Sequence, residues 1–258
     1  MKRIVTLIIV VACSIGAVFW SVHQNAKTPS EKTSPKTAQS SSKNTPPTQT
    51  PKSFDKKQLS NDDPNSLWVI VNKLRPLQPK SFAPSDLRTP NVALRSSAAN
   101  SEMKMRDPAA TALEKMFTAA KQDGINLLLA SGYRSYGLQV GVYNRNVSTL
   151  GQATADTQSA RPGFSEHQTG LAVDVGAASR TCEIESCFAG TAEGKWVAQN
   201  AYKFGFVVRY QDGSQPVTGY MYEPWHLRFV GTQLSEELVR VGNPTLEAFF
   251  NLPAAPNY

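Results

Sequence analysis

A long polar stretch, residues 23–60, limits where this chain can fold. It is rich in Lys, Thr, Ser, Pro and Gln and holds almost no large apolar residue. A segment of that composition cannot bury enough apolar surface to offset the entropy lost on ordering. It therefore predicts a disordered tether between a short N-terminal segment, 1–22, and one folded domain, 61–258.

The N-terminal segment combines a basic start with an apolar run. Lys2 and Arg3 precede an apolar stretch, 4–22, of about the length that crosses a bilayer. Positive charges on the short side predict that the rest of the chain lies outside the cytoplasm. Gln24 occupies the small-residue position of a cleavage site at Ala26, which favours an uncleaved membrane anchor over a secreted form.

A lipoprotein is the alternative interpretation of this segment. Cys13 follows Val10, Val11 and Ala12, and this short sequence resembles a bacterial lipobox. The chain stays apolar after Cys13, however, whereas a mature lipoprotein turns polar after its modified cysteine. The membrane anchor is therefore the preferred interpretation, with Cys13 as a small apolar residue of the spanning helix.

The basic charge of the chain lies outside the predicted domain. Lys2, Arg3 and the excess of lysines over acidic residues in 23–60 account for the whole formal charge of +7. Residues 61–258 are therefore net neutral. A nucleic-acid-binding domain carries its basic surface on the domain itself, so nucleic acid is not an expected partner.

The predicted domain mixes helices and strands without a regular alternation, which favours an α+β fold with a small, mainly antiparallel sheet flanked by helices. Apolar periodicity, capping residues and glycines predict these elements. The predicted helices run from Asp107 to Gly124, Ser135 to Val147 and Ala192 to Phe204, with a further helix at the C-terminus. The predicted strands are Ile125 to Ala130, Leu171 to Val175, Phe206 to Tyr210 and Trp225 to Val230, and Leu67 to Val71 is expected to be a short strand or an extended segment.

Two polar motifs contain both histidines of the predicted domain. The segment SEHQTGLAVD carries His167 and Asp174, and EPWH carries Glu223 and His226. Two imidazoles and a carboxylate are a common ligand set for catalytic zinc, because three protein ligands leave the fourth tetrahedral position open. A glutamate close to the last ligand can accept a proton from water.

Each of these residues taken singly also has a structural explanation. His167 suits a hydrogen-bonded turn, Asp174 a cap or ion pair, and His226 a core position in a strand. Their joint occurrence favours a zinc site. Pro224 indicates that the second motif lies in a turn rather than a helix interior, unlike the His-Glu-x-x-His helix of common zinc peptidases.

The two motifs resemble those of the VanY-type D-alanyl-D-alanine carboxypeptidases, within the lysostaphin and D-Ala-D-Ala metallopeptidase group. The resemblance rests on Ser-x-His-x-x-Gly-x-Ala-x-Asp followed later by Glu-x-x-His. The segments VNK at 71–73, SGYRS at 131–135 and TGYMY at 218–222 also look like that family. The resemblance covers about residues 64–250.

This resemblance implies roles for individual residues. His167, Asp174 and His226 should bind Zn²⁺, and Glu223 should act as the catalytic base. Arg134 looks like the arginine that stabilises negative charge developing on the scissile carbonyl oxygen, which agrees with the effect of a fixed cation near such charge.

Substrate contacts and the reaction follow from the same resemblance. Ser165, Gln139 and Trp225 resemble substrate-binding residues, although a solvated position explains Gln139 and core packing explains Trp225 equally well. The expected substrates are peptidoglycan stem peptides, and the expected reaction is D,D-carboxypeptidase removal of a terminal D-Ala. The alternatives are an L,D-carboxypeptidase, an endopeptidase, or a wall-binding module without activity.

Two cysteines of the predicted domain lie close together, at Cys182 and Cys187. An exported protein meets an oxidising environment, so a local disulfide bond is expected. A second metal site is the alternative, but the sequence offers no further histidine near these cysteines.

Overall fold

The structure is a computed structural model that describes residues 54–258. The predicted anchor and most of the predicted tether lie outside these residues. No helix within 54–258 is both long and apolar enough to cross a bilayer. The last residues assigned to the tether contact the domain: Phe54 stacks on Trp68, with ring centroids 5.4 Å apart, and the Lys56 ammonium lies 4.2 Å from the ring centroid of Phe249.

Six strands and seven α-helices form the described domain. The strands are β1 Leu87–Arg88, β2 Met105–Arg106, β3 Leu127–Ser131, β4 Ala172–Ala177, β5 Phe206–Tyr210 and β6 Glu223–Phe229. The helices are α1 Asp107–Gln122, α2 Tyr136–Leu150, α3 Gln152–Gln158, α4 Ala192–Asn200, α5 Gln215–Thr218, α6 Thr232–Arg240 and α7 Leu246–Phe249. Short 3₁₀ turns lie at Ser101–Met103, Glu166–Thr169, Ser186–Gly190 and Ala201–Phe204.

The central sheet has the order β3, β4, β6, β5, and every neighbouring pair is antiparallel. Strands β1 and β2 form a separate two-stranded antiparallel sheet. The predicted α+β class and antiparallel sheet are confirmed. Helix α3 was not predicted, because its sequence QATADTQ is polar and buries only Ala155.

Residues 67–71, predicted as a short strand or extended segment, do not form a strand. The carbonyl oxygens of Leu67 and Val69 accept hydrogen bonds from the Arg228 side chain, at 3.1 and 2.7 Å, instead of from a neighbouring strand. Leu67 and Trp68 lie in a turn, and residues 69–71 have no regular secondary structure. Residues 68–71 are nevertheless buried, and the Trp68 indole donates to the Val230 carbonyl oxygen at 2.9 Å.

The two faces of the sheet have different roles. Side chains alternate between the faces of a strand, and Val173, Val175 and Leu227 pack into the main core together with the apolar sides of α1 and α4. Asp174 and His226 occupy the opposite face of the same strands. The main core thus packs on one face of the sheet, and the polar side chains of Asp174 and His226 lie on the other face.

Cys182 and Cys187 form a disulfide bond, with their Cα atoms 5.5 Å apart. This confirms the predicted pairing. Because both sulfur atoms are bonded to each other, the alternative of a second metal site at these cysteines is excluded. The bond closes a short loop between β4 and the 3₁₀ turn Ser186–Gly190.

Candidate metal centre and active site

The two sequence motifs meet on the polar face of the sheet. Asp174 in β4 is the direct cross-strand partner of His226 in β6. His167 lies in the 3₁₀ turn before β4, which ends at Gly170 with φ +67°, a conformation that favours glycine. One donor atom from each of the three side chains lies within 4.8 Å of the others, and all three residues are buried.

The Asp174 carboxylate lies close to both histidines. Asp174 Oδ2 lies 3.3 Å from His167 Nε2, and Asp174 Oδ1 lies 3.0 Å from His226 Nδ1. Zinc bonds of roughly 2.0 Å place neighbouring ligand atoms about 3.3 Å apart in a tetrahedron. Each of the two distances from Asp174 is close to that value, and the donor set of two histidines and an aspartate matches that of a catalytic zinc site.

The second nitrogen of each imidazole has a hydrogen-bond acceptor. His167 Nδ1 lies 2.6 Å from the Gly132 carbonyl oxygen, and His226 Nε2 lies 3.5 Å from Glu166 Oε2. Since a carbonyl oxygen can only accept, His167 must donate through Nδ1, which leaves the Nε2 lone pair facing Asp174. Such partners fix the tautomer and orientation of metal-binding histidines.

Glu166 belongs to a buried cluster of charges behind His226. Arg209 and Arg228 both donate to Glu166 Oε1, at 2.8 and 3.0 Å. Arg209 also donates twice to Glu247 of α7, at 2.6 and 2.9 Å. The sequence analysis did not identify this cluster. A sequence signal for it was the arginine among the apolar residues of each of two strands, FVVRY and EPWHLRF.

Opposing charges control ionisation in and around the metal site. Burial alone would raise the pKa of Glu166, but Arg209 and Arg228 hold it well below its usual range. Burial would lower the pKa of His226, yet its contacts with Asp174 and Glu166 raise it to about 10. A metal bound at His226 Nδ1 would displace that proton, because a metal ligand must be the deprotonated nitrogen.

Glu223 begins β6 beside these ligands, so the EPWH motif lies in a strand and not in the predicted turn. It is the cross-strand partner of Tyr210 in β5, and its Oε2 lies 3.9 Å from His226 Nδ1. Burial raises the pKa of the Glu223 carboxyl to about 8, with a smaller opposing effect from His226. A shift of this kind is typical of a carboxylate that exchanges protons during catalysis.

The Arg134 guanidinium is held in place by three side chains. Its Nε lies 3.3 Å from Glu102 Oε1, its Nη1 donates to Gln139 Oε1 at 3.2 Å, and its Nη2 donates to Ser131 Oγ at 3.0 Å. Ser131 is also the cross-strand partner of Asp174. The cation is therefore fixed beside the candidate metal site.

The three predicted substrate contacts occupy different environments. Gln139 is buried, and its amide donates to the Ala160 carbonyl oxygen at 2.6 Å while its oxygen accepts from Arg134. These contacts indicate that Gln139 orients Arg134. Ser165 is buried in the wall of the cleft, where its side chain can contact a ligand. Trp225 packs in the main core and borders the cleft.

All eight predicted metal, catalytic and substrate residues line one cleft of about 210 Å³. The sequence analysis did not predict the other residues of its walls, which come from α2, α3, the disulfide loop and the segment around β5. They include Val142, Asn146, Gln158, Ile184, Tyr210 and Tyr220. The cleft thus joins the candidate metal ligands, base and guanidinium to a surface that a peptide can reach.

Comparison with known proteins identifies the family. The family model "VanY: D-alanyl-D-alanine carboxypeptidase" matches residues 102–232, a range that contains all eight of these site residues. The chain belongs to the VanY family. The resemblance found in the sequence motifs is confirmed.

Three relatives of this VanY-family chain are informative. YodJ of Bacillus subtilis strain 168, named as a carboxypeptidase, is 42% identical over 188 residues, covering 73% of this chain and 68% of YodJ. The LdcB LD-carboxypeptidase structure has a TM-score of 0.69 and 42% identity, covering 73% of this chain and 87% of LdcB. The structure of a VanY D,D-pentapeptidase mutant with bound Zn(II) has a TM-score of 0.58 and 30% identity. The match covers 71% of this chain and 98% of the VanY chain.

These relatives establish the enzyme class. The chain is a metallocarboxypeptidase, and its cofactor is zinc, because the VanY structure contains Zn(II) and this chain has a matching cluster of two histidines and an aspartate. The expected enzyme class and cofactor are confirmed. The roles of the individual site residues stay predictions.

Proposed function

We propose that this enzyme removes the terminal D-alanine from peptide stems of bacterial peptidoglycan. The observation that carries the proposal is the single cleft that joins the two histidines and aspartate to Glu223 and Arg134. The relatives support the substrate class, since the LdcB structure is described in terms of peptidoglycan recognition and the VanY structure as a D,D-pentapeptidase.

His167, Asp174 and His226 would hold the zinc in this reaction. Zinc held there supplies Lewis-acid chemistry, since it polarises a carbonyl group and makes water more acidic. The Gly132 carbonyl and the Glu166 carboxylate keep the two imidazole rings oriented toward Asp174. The protein thereby presents a rigid ligand set that needs little rearrangement on metal binding.

Glu223 acts as the general base in this proposal. It accepts a proton from the attacking water and then passes it to the departing amine of the terminal D-alanine. Burial favours the protonated form of this carboxyl. A positive charge at the neighbouring ligands favours the carboxylate, so the loaded enzyme would hold Glu223 ready to accept a proton.

Arg134 and Ser165 bind the reacting end of the peptide. The Arg134 guanidinium stabilises the negative charge that develops on the scissile carbonyl oxygen, and Gln139 keeps this guanidinium oriented. The Ser165 hydroxyl, which lines the same cleft, donates to the terminal carboxylate of the substrate. Hydrogen bonds to that carboxylate favour cleavage at the end of the stem over cleavage inside it.

The preferred stem length is the finer part of the proposal. We favour L,D-carboxypeptidase activity on tetrapeptide stems, because the likeness to the LD-carboxypeptidase LdcB, in identity and TM-score, exceeds that to the D,D-pentapeptidase. The D,D reaction on pentapeptide stems, which the sequence analysis expected, is the second candidate. Cleavage within the stem and wall binding without hydrolysis are the remaining alternatives.

Mass spectrometry of defined stem peptides tests the proposal. The zinc-loaded protein is incubated separately with tripeptide, tetrapeptide and pentapeptide stems. Loss of one alanine from the tetrapeptide supports the L,D reaction, and loss from the pentapeptide alone supports the D,D reaction. Products from within the stem support an endopeptidase. Binding of all stems without hydrolysis overturns the proposed activity and favours a wall-binding module.

We also propose that the enzyme acts outside the cytoplasm, attached to the membrane by residues 1–22. The support is the basic start and apolar run of this segment, which lies outside the described residues. Membrane fractionation tests the attachment. Digestion of the domain by protease added to spheroplasts tests whether the domain lies on the outer side of the membrane. The Cys13→Ser variant should stay in the membrane fraction, and its release would favour the lipoprotein alternative.

A further inference from the structure

The disulfide loop folds back over the strand that carries Asp174. After β4 the chain turns at Arg180, whose backbone N–H donates to the Ala177 carbonyl oxygen at 2.9 Å. A Cβ atom placed on Gly176 would lie 4.0 Å from Glu183 Cγ, so Glu183 covers this glycine. Because side chains two residues apart share one face of a strand, the loop covers the face that carries Asp174.

Several contacts hold this loop in position. The Cys182–Cys187 disulfide closes it, and Glu183 forms an ion pair with Arg95 at 3.1 Å. The Arg180 guanidinium also donates to the Arg95 carbonyl oxygen at 2.9 Å. The loop is therefore attached to the domain at both ends and along its length.

Ile184 lies inside the disulfide loop in an unusual conformation. Its φ is +56°, in the left-handed region that β-branched residues rarely adopt. Such a conformation persists only where surrounding contacts maintain it. The Ile184 side chain packs against the main core and also lines the cleft that contains the metal ligands. The loop thus holds an aliphatic side chain in the wall of the active-site cleft.

We propose that Ile184 is a substrate-binding residue, which the Cys182–Cys187 disulfide holds against the aliphatic part of the stem peptide. This inference rests on the proposed carboxypeptidase function. Stem residues carry methyl and methylene groups, and burying these groups against Ile184 favours binding of the peptide. The residue takes no part in bond cleavage, so its contribution lies in substrate affinity.

Steady-state kinetics with the preferred stem peptide test the proposal. Ile184→Ala should raise KM roughly tenfold, the range expected for losing a few methylene contacts in a pocket, while kcat and zinc content stay at the wild-type level. Ile184→Val should restore most of the affinity. Ile125→Ala is the matched control, because Ile125 also packs against the main core but lines a different groove.

A double-mutant cycle tests the role of the disulfide. The Cys182→Ser, Cys187→Ser double variant should also raise KM with zinc content unchanged. Adding Ile184→Ala to it should cause little further change, since residues that act through one contact are not additive. An unchanged KM in Ile184→Ala, or fully additive effects, overturns the proposal. A wild-type enzyme inactive on every stem overturns the proposed function instead, so the two failures are distinguishable.

Discussion

Asp174 and His226 face each other across adjacent antiparallel strands, with Asp174 Oδ1 3.0 Å from His226 Nδ1. The register of β4 and β6 therefore brings two of the three predicted metal ligands together. A shift of one residue in either strand would move its ligand to the opposite face of the sheet, into the main core. The apolar partners Val173 and Leu227 stabilise the correct register by packing on that other face.

Asp174→Ala should abolish stoichiometric zinc binding, because two imidazoles alone leave the tetrahedral set incomplete. Metal analysis of purified protein measures the zinc content directly. Asp212→Ala, in an exposed turn, is the matched control and should bind zinc like the wild type. Equal zinc content in the two variants would contradict the ligand assignment.

Glu166→Gln should weaken both the fold and the zinc site. Arg209 and Arg228 lose their shared buried carboxylate, and removing one partner of a buried ion pair costs about 3–5 kcal/mol of unfolding free energy. Loss of the anionic partner of His226 should lower zinc affinity by about 10- to 100-fold. Urea unfolding and chelator competition measure these effects, with the exposed Glu185→Gln as control. Wild-type zinc affinity in a folded Glu166→Gln protein would show that Glu166 does not support the metal ligand.

The Arg209–Glu247 pair should make the fold sensitive to acid. Burial would raise the pKa of Glu247, but Arg209 holds it below its ordinary value. The stabilisation is therefore complete above the unfolded-state pKa of roughly 4.3 and is lost as the pH falls below it. Thermal unfolding between pH 6 and pH 3 should show a smaller acid-induced decrease in Tm for Glu247→Gln than for the wild type. Parallel decreases would contradict this assignment.

Arg134→Ala should lower kcat about a hundredfold or more while zinc content stays unchanged, since it removes a fixed cation from the developing negative charge. Gln139→Ala should lower kcat less, because its amide contacts the Arg134 guanidinium and only orients it. Single-turnover rates with the preferred stem peptide measure both effects. A larger loss in Gln139→Ala would instead favour the direct substrate contact that the sequence predicted for Gln139.

The sequence predicted the candidate metal ligands and base better than the buried residues that hold them in position. His167, Asp174, Glu223 and His226 lie in short motifs whose residue types alone indicate zinc chemistry, and local periodicity was enough for the helix α1 and the sheet strands. The charge cluster could not be predicted in the same way. Glu166 contacts Arg209 and Arg228 only in the folded domain, because β5 and β6 are distant from it in the sequence. Within its own motif nothing indicates that this glutamate is buried or paired.

Long-range contacts also explain why no strand forms at residues 67–71. Residues 68–71 are buried, but the Arg228 side chain donates to the carbonyl oxygens of Leu67 and Val69. Nothing near this segment in the sequence indicates that contact. Gln139 is a similar case, because its burial depends on how α2 packs beside α3 and the Ala160 carbonyl.

The activity of Glu223→Gln tests the central claim most directly. Glutamine keeps the size and hydrogen-bonding capacity of glutamate but cannot accept a proton at neutral pH, so only the base is removed. We expect the variant to fold and to bind zinc like the wild type, while its turnover of the preferred stem peptide falls at least about a hundredfold. Wild-type turnover in the zinc-loaded Glu223→Gln enzyme would contradict the account.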